Sequence, residues 1–190
     1  MTTALMTAYD NGVLDRGMHS RLAQNLQYFA DRANIADVYI LDKMSKFGCN
    51  DADIGYVRAI KRMAANKIFG LIYYGKETVP VMPRMMGVAG ACVRNFVDAK
   101  VMTVQHLLAD LKVGNTPDTT VLCIPNFFIA KGEGGKIADW HVPELLGLLY
   151  ARMARGQQTL MYVSEWQGLR NTYGDPLADH LKNQFKQIPA

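Results

Sequence analysis

Hydrophobic and polar positions follow two rhythms along this chain, one helical and one extended. Residues 16–31 place Leu22, Leu26 and Phe29 at i, i+4 and i+7, which predicts a single amphipathic helix. Residues 38–41 are a short apolar run whose type the pattern leaves open. A helix is predicted over 52–65, capped by Asn50 or Asp51, with Arg58, Lys61 and Arg62 on its polar side. Strands and helices then take turns: strand 69–74, helix 83–97, strand 100–104, helix 105–112, a turn at 114–118 and strand 120–125. A glycine-rich loop at 131–136 precedes a long helix over 143–155, carrying Leu145, Leu146, Leu149 and Met153. Strand 159–164 and two short helices follow.

Four strands alternating with helices predict an α/β fold, a three-layer αβα arrangement around a parallel sheet of four or five strands. The pattern divides the chain into a helical N-terminal segment, 1–50, and an α/β domain, 51–190. No internal repeat or low-complexity segment interrupts it.

Composition narrows the classes. Across 190 residues, 49% are hydrophobic and 20% charged, enough apolar content for a sizeable core. A net charge of +4 permits contact with nucleic acid without requiring it. No apolar run approaches the roughly 18 residues of a membrane span, and the N-terminus lacks the basic-then-apolar order of a signal peptide. A cytoplasmic protein is expected. Cys49, Cys92 and Cys123 are odd in number and widely spaced, suiting buried thiols in a reducing compartment. His19, His106, His141 and His180 are scattered without ligand spacing, so no metal is expected. No nucleophile elbow occurs, and Cys49 has no evident base partner. Eleven methionines read as core filler or a pliable partner surface. Trp140 and Trp166 are expected to pack, with Trp166 also a candidate interface anchor.

The strand Phe69-Gly-Leu-Ile-Tyr-Tyr74 runs into Gly75 and then a helix, the place where a phosphate-binding loop sits. That loop reads G-x-x-x-x-G-K-[ST], supplying backbone N–H groups, a lysine and a hydroxyl. This chain has Gly75-Lys76-Glu77-Thr78-Val79-Pro80-Val81-Met82, which keeps the first glycine alone. Gly75, Lys76 and Thr78 are the remnant candidates for nucleotide binding. The loop Lys131-Gly-Glu-Gly-Gly-Lys136 resembles a deviant P-loop, yet Ile137 stands where the metal-binding hydroxyl belongs and Glu133 brings a negative charge.

The order of these pieces resembles the DnaC/IstB-like branch of AAA+ ATPases, the loaders of replicative helicases and helper ATPases of transposition. Gly70-Leu-Ile-Tyr-Tyr-Gly75 resembles the family's strand ending in the first P-loop glycine. Ala99-Lys-Val-Met-Thr-Val-Gln-His-Leu-Leu-Ala-Asp-Leu-Lys112 is similar to its next strand and helix, and Val121-Leu-Cys-Ile-Pro-Asn126 falls at the Walker B strand. Leu145-Leu-Gly-Leu-Leu-Tyr-Ala-Arg152 and Gln158-Thr-Leu-Met-Tyr-Val-Ser164 resemble the helix and sensor-1 strand. Tyr173-Gly-Asp-Pro-Leu-Ala-Asp-His-Leu181 resembles the box that carries the arginine finger.

Set against that family, the catalytic positions are altered. The Walker A lysine and hydroxyl map to Val81 and Met82, and the Walker B acids to Pro125 and Asn126. The sensor-1 asparagine maps to Ser164 and the finger to His180. Hydrolysis needs neutralised phosphates, a positioned water and a trans arginine. The resemblance therefore implies a pseudo-ATPase, not an enzyme, with no cofactor. The short link from Lys112 to Thr119 also lacks the extra helix with which initiator-type relatives track single-stranded DNA.

The leading expectation is a non-catalytic AAA+-like adaptor of DNA replication, recombination or transposition. Its partner would be a replicative helicase or an active AAA+ ATPase, met through residues 23–32 or 173–181, with an oligomer as a further option. The alternative is a small basic protein that binds single-stranded or duplex DNA through Arg58, Lys61, Arg62 and Lys67, by sequence-independent phosphate contacts. A third is a weak nucleotide sensor using Lys76 or the 132–136 loop. Arg84 and Arg94 read as surface charges, and Arg152, Arg155 and Arg170 as a second basic edge or subunit contact.

Overall fold

The computed structural model describes residues 3–130 and 137–190. Its chain begins with α1 (Thr3–Asp10), α2 (Ser20–Gln24), α3 (Leu26–Ala33) and α4 (Val38–Leu41), then a 3-10 turn at Met44–Phe47 and α5 (Asp51–Met63). Next come β1 (Gly70–Tyr74), α6 (Val81–Arg94), β2 (Ala99–Val101), α7 (Val104–Lys112) and β3 (Val121–Phe128). A 3-10 turn at Asp139–His141 leads into α8 (Val142–Ala154) and β4 (Gln158–Val163). The chain closes with α9 (Trp166–Tyr173), α10 (Asp175–Gln184) and β5 (Lys186–Pro189).

The described strands form one sheet in the order β2-β3-β4-β1-β5, every neighbouring pair parallel. Parallel sheets need both faces covered, and the strand sequences show it: all six residues of β4 are buried. The side-chain alternation sends Leu71, Tyr73, Cys123, Leu160 and Tyr162 to one core, which α1–α6 close. Ile72, Leu122, Ile124, Met161 and Val163 face the other core, closed by α7–α10. The expected α/β three-layer fold is thus observed, with β5 as the fifth strand.

The helix expected over 16–31 is two helices. Asn25 breaks it, with φ −120°, and its N–H returns to the carbonyls of Arg21 and Leu22. Before α2, the Asp15 carboxylate accepts from the N–H groups of Gly17 and Met18, which holds residues 15–18 in a turn. The apolar run 38–41 is the helix α4. It lies so close to α6 that a Cβ on Gly90 would sit 2.1 Å from the Tyr39 carbonyl oxygen. Ala30, Ala33, Ile40 and Leu41 share one core with Val88, Ala89 and Cys92 of α6.

Two arginines of α6 expected at the surface are drawn inward instead. Arg94 donates to the carbonyls of Tyr39, Ile40 and Asp42, satisfying the open C-terminal end of α4. Arg84 is 2% exposed and pairs with the fully buried Asp53 at 2.9 Å. Arg152, expected on a basic edge, is also buried. It donates to the Thr159 hydroxyl and to the carbonyls of Pro117, Thr119 and Gln158, and burial lowers its pKa to about 10. Cys49, Cys92 and Cys123 are buried and unpaired, and burial pushes the Cys49 and Cys92 thiols up to about 12. No described helix is long and apolar enough to cross a membrane.

Candidate functional site

In an open parallel sheet a ligand crevice forms outside the carboxyl ends of the strands. Here that place is the end of β1, flanked by β4 and β5. Gly75 turns the chain there with φ +91°, a conformation that glycine adopts without a Cβ clash. Its N–H donates to the Val163 carbonyl and its own carbonyl accepts from the Tyr162 hydroxyl. The turn is therefore tied to β4 on both sides.

The groups beyond Gly75 are committed to the protein itself. The Thr78 hydroxyl donates to the Ala190 carbonyl at 2.7 Å. The Glu77 carboxylate accepts from the Val81 N–H at 3.3 Å, so an acid from the preceding loop sits at the N-terminal end of α6, where a phosphate would be held. Pro80 precedes α6 without a side-chain cap, Val81 is buried, and Met82 is partly exposed. Lys76 is exposed and makes no ion pair among the described residues. Of the remnant trio, Gly75 keeps the turn, Thr78 braces β5, and only Lys76 is open to an anion.

One turn into α6, the Arg84–Asp53 pair anchors this end of the sheet. Asp53 also accepts from the Tyr73 hydroxyl at 2.7 Å and from the Asn50 N–H at 2.8 Å. The Arg84 guanidinium lies 4.7 Å from the centre of the Tyr73 ring and donates to the Pro189 carbonyl. Its remaining nitrogen, Nη2, has no partner among the described residues. The cluster joins α5, β1, α6 and β5. Arginine and aspartate this far apart in sequence give no signal of pairing; the capping pattern at Asn50 is the one clue to Asp53.

The other mapped positions are similarly occupied. Asn126 accepts from the Val104 N–H and donates to the Gln105 side chain, fastening β3 to the start of α7. Ser164 accepts from the Ala130 N–H. His180 is buried, with its ring 4.5 Å from Tyr150 and 5.9 Å from Phe185, and burial lowers its pKa. A buried ring cannot reach a neighbouring subunit as a finger would. Arg170 is held by Asp175 and Asp179, and Arg155 lies 3.5 Å from Asp118.

Arg58, Lys61 and Arg62 lie along α5, and Lys67 follows in a left-handed turn, φ +57°. None of the four forms a salt bridge among the described residues. The loop at 131–136 lies outside the described residues. Trp166 is half-buried beneath the Lys182 ammonium. Trp140, expected to pack, is 58% exposed, held against His141 with the Lys112 ammonium 5.0 Å from its centre.

No known family profile matches the sequence, and no curated protein matches it. Solved structures do match its fold. The DnaI crystal structure superposes with a TM-score of 0.59 at 16% identity, covering 82% of this chain and 94% of that one. A putative primosome component from Streptococcus pyogenes serotype M3 gives 0.57 at 13% identity, covering 85% and 94%. The fold is AAA+-like. The replication initiator DnaA, solved with AMPPCP and single-stranded DNA, gives 0.54 at 11% identity. That match takes in 77% of this chain and 49% of the DnaA chain. At these identities the AAA+ likeness is one of architecture.

Proposed function

We propose that this chain is a non-catalytic AAA+-like adaptor of DNA replication that binds a replicative helicase or an active AAA+ ATPase. The observation that carries this reading is the state of the β1 end. Glu77 sits at the α6 N-terminus, Thr78 is bonded to Ala190, and Asn126 is bonded to α7. These commitments support a chain without turnover, because phosphoryl transfer uses a lysine, a hydroxyl and an acid together at the phosphates. The architecture shared with DnaI and the streptococcal primosome component supports a replication setting. An AAA+ shape without turnover acts through its surface, taking a subunit-like place beside an active partner.

A tagged pull-down from the native host, half of it treated with nuclease, tests the reading. Nuclease-resistant recovery of a replicative helicase or a full AAA+ ATPase is the expected result. Recovery of nucleic acid alone, lost at high salt, would overturn it.

That second outcome belongs to a second reading, nucleic-acid binding through α5. The absence of acidic partners for Arg58, Lys61, Arg62 and Lys67 among the described residues favours it. Removing any one of these cations would lower the salt slope of binding by about one.

A further inference from the structure

Helix α6 ends in a way that burial does not explain. Its last turn closes with the Val97 N–H on the Cys92 carbonyl and the Phe96 N–H on the Val93 carbonyl. This pairing places residue 96 in the left-handed region, the position where glycine is favoured. The chain has phenylalanine there, at φ +57° and 61% exposed. The strain at Phe96 is therefore not compensated by the core. Its ring is held outward by His19, whose ring stacks on it at 5.5 Å and 16°. His19 is itself fixed, accepting from the Asp15 N–H at Nδ1 and donating from Nε2 to the Arg94 carbonyl.

Phe96 is one wall of a groove of about 400 Å³ between α3 and the α6–β2 corner. Tyr28, 59% exposed, is another aromatic wall, and aliphatic side chains of α2, α3 and α6 make the floor. Three charged residues line it. Arg32 and Asp98 cancel, joined by two bonds at 2.9 and 3.0 Å. Arg21 is left exposed, with no ion pair among the described residues. The groove thus combines exposed aromatic faces, an apolar floor and one uncompensated cation.

We infer that this groove binds single-stranded nucleic acid, taking one unpaired base against Phe96 or Tyr28 with Arg21 at the adjoining phosphate. Aromatic stacking beside a cation is how single strands are held without sequence readout. The volume falls at the lower end of small-ligand clefts, roughly 300–1,000 Å³. A duplex keeps its bases paired and stacked, so it has none to offer. An apolar peptide side chain would use the floor but would give Arg21 no counter-charge. This site is separate from the α5 patch and does not rest on the adaptor reading. A chain that captures a helicase but no single strand keeps that reading and loses this one.

The test is fluorescence anisotropy of a labelled oligothymidylate of about 15 nucleotides at low salt, against the matching duplex and a mononucleotide. Phe96→Gly is the informative variant, because glycine suits the backbone there and removes only the ring. Tyr28→Ala, at an exposed position, is the second variant should the first fail to fold, and Arg21→Glu tests the cation. Expected are tighter binding of the single strand than of the duplex, and about tenfold weakening by each variant with melting temperatures within a few degrees of the parent. Equal or tighter duplex binding, or no single-strand binding at all, overturns the proposal. So does binding that ignores these variants but is abolished in Arg58→Glu with Lys61→Glu. Saturation by the mononucleotide as tightly as by the strand makes the groove a free-nucleotide site and overturns it as well. Failure of Phe96→Gly to hold a protein partner, without any effect on a strand, reassigns the groove to that partner.

Discussion

Asp53 holds three partners with one carboxylate: the Asn50 N–H, the Tyr73 hydroxyl and the Arg84 guanidinium. Removing one member of a buried pair leaves the other charged and unsolvated, which costs about 3–5 kcal/mol. Asp53→Ala should lower unfolding free energy by that amount in urea titration. A loss under about 1 kcal/mol would mean that Arg84 reaches water. His180 sets a pH dependence. Burial lowers its pKa from 6.5, so the unfolded chain takes up a proton more readily than the folded one. Its contribution to stability is present above pH 6.5 and is lost as pH falls through the lowered folded value. Melting curves across that window should fall less steeply for His180→Phe, and identical profiles would contradict its burial. Phe96 carries left-handed strain of about 1–2 kcal/mol, whose relief in Phe96→Gly is partly offset by glycine's larger unfolded entropy. That variant should stay within about 1 kcal/mol of the parent in the same titration.

Among the elements, α5 starts from a reciprocal cap in which Asn50 accepts from the Ala52 and Asp53 N–H groups and Asp53 accepts from the Asn50 N–H in return. A cap of this kind contributes about 1 kcal/mol. The α4–α6 approach is tighter. Gly90→Ala forces a Cβ against the Tyr39 backbone oxygen, and such overpacking costs about 1–3 kcal/mol. A denaturation midpoint unchanged by that substitution would show the two helices free to separate. The strands β1, β3 and β4 were legible because buried parallel strands are continuous apolar runs. The edge strand β5 was not: only Ile188 of Lys186–Pro189 is buried, so its pattern carries no period. The break at Asn25 was hidden because Leu22, Leu26 and Phe29 keep helical spacing across it. The inward arginines were hidden too, since residue type places a guanidinium outside and only the fold supplies Asp53 or a row of carbonyls. At the candidate site the turn at Gly75 was legible from the apolar run that precedes it, while the bonds from Thr78 to Ala190 and from Val81 to Glu77 were not. The aromatic groove was not, because Tyr28 and Phe96 are 68 residues apart in sequence and meet only through α6 turning into β2.

At the scale of the whole molecule, the sheet sets β1 between β4 and β5, and the three strand ends bond to one another. Gly75 joins Val163, the Ala190 N–H joins Tyr74, and Thr78 joins Ala190. The first two bonds continue the parallel ladders past the strand ends, and the Thr78 hydroxyl adds a side-chain tie, so the chain's own hydrogen bonds hold the β1 end together. In the proposed reading, a β1 end tied in this way takes no nucleotide. Melting the purified full chain with and without millimolar Mg-ATP tests that closure most directly. A site with a dissociation constant a hundredfold below the nucleotide concentration would add about 2.7 kcal/mol. For a chain of this size that is a rise of roughly 5–10 °C. No shift is expected. A rise of that size, abolished by Lys76→Ala, would contradict the closure and make the end of β1 a working nucleotide site.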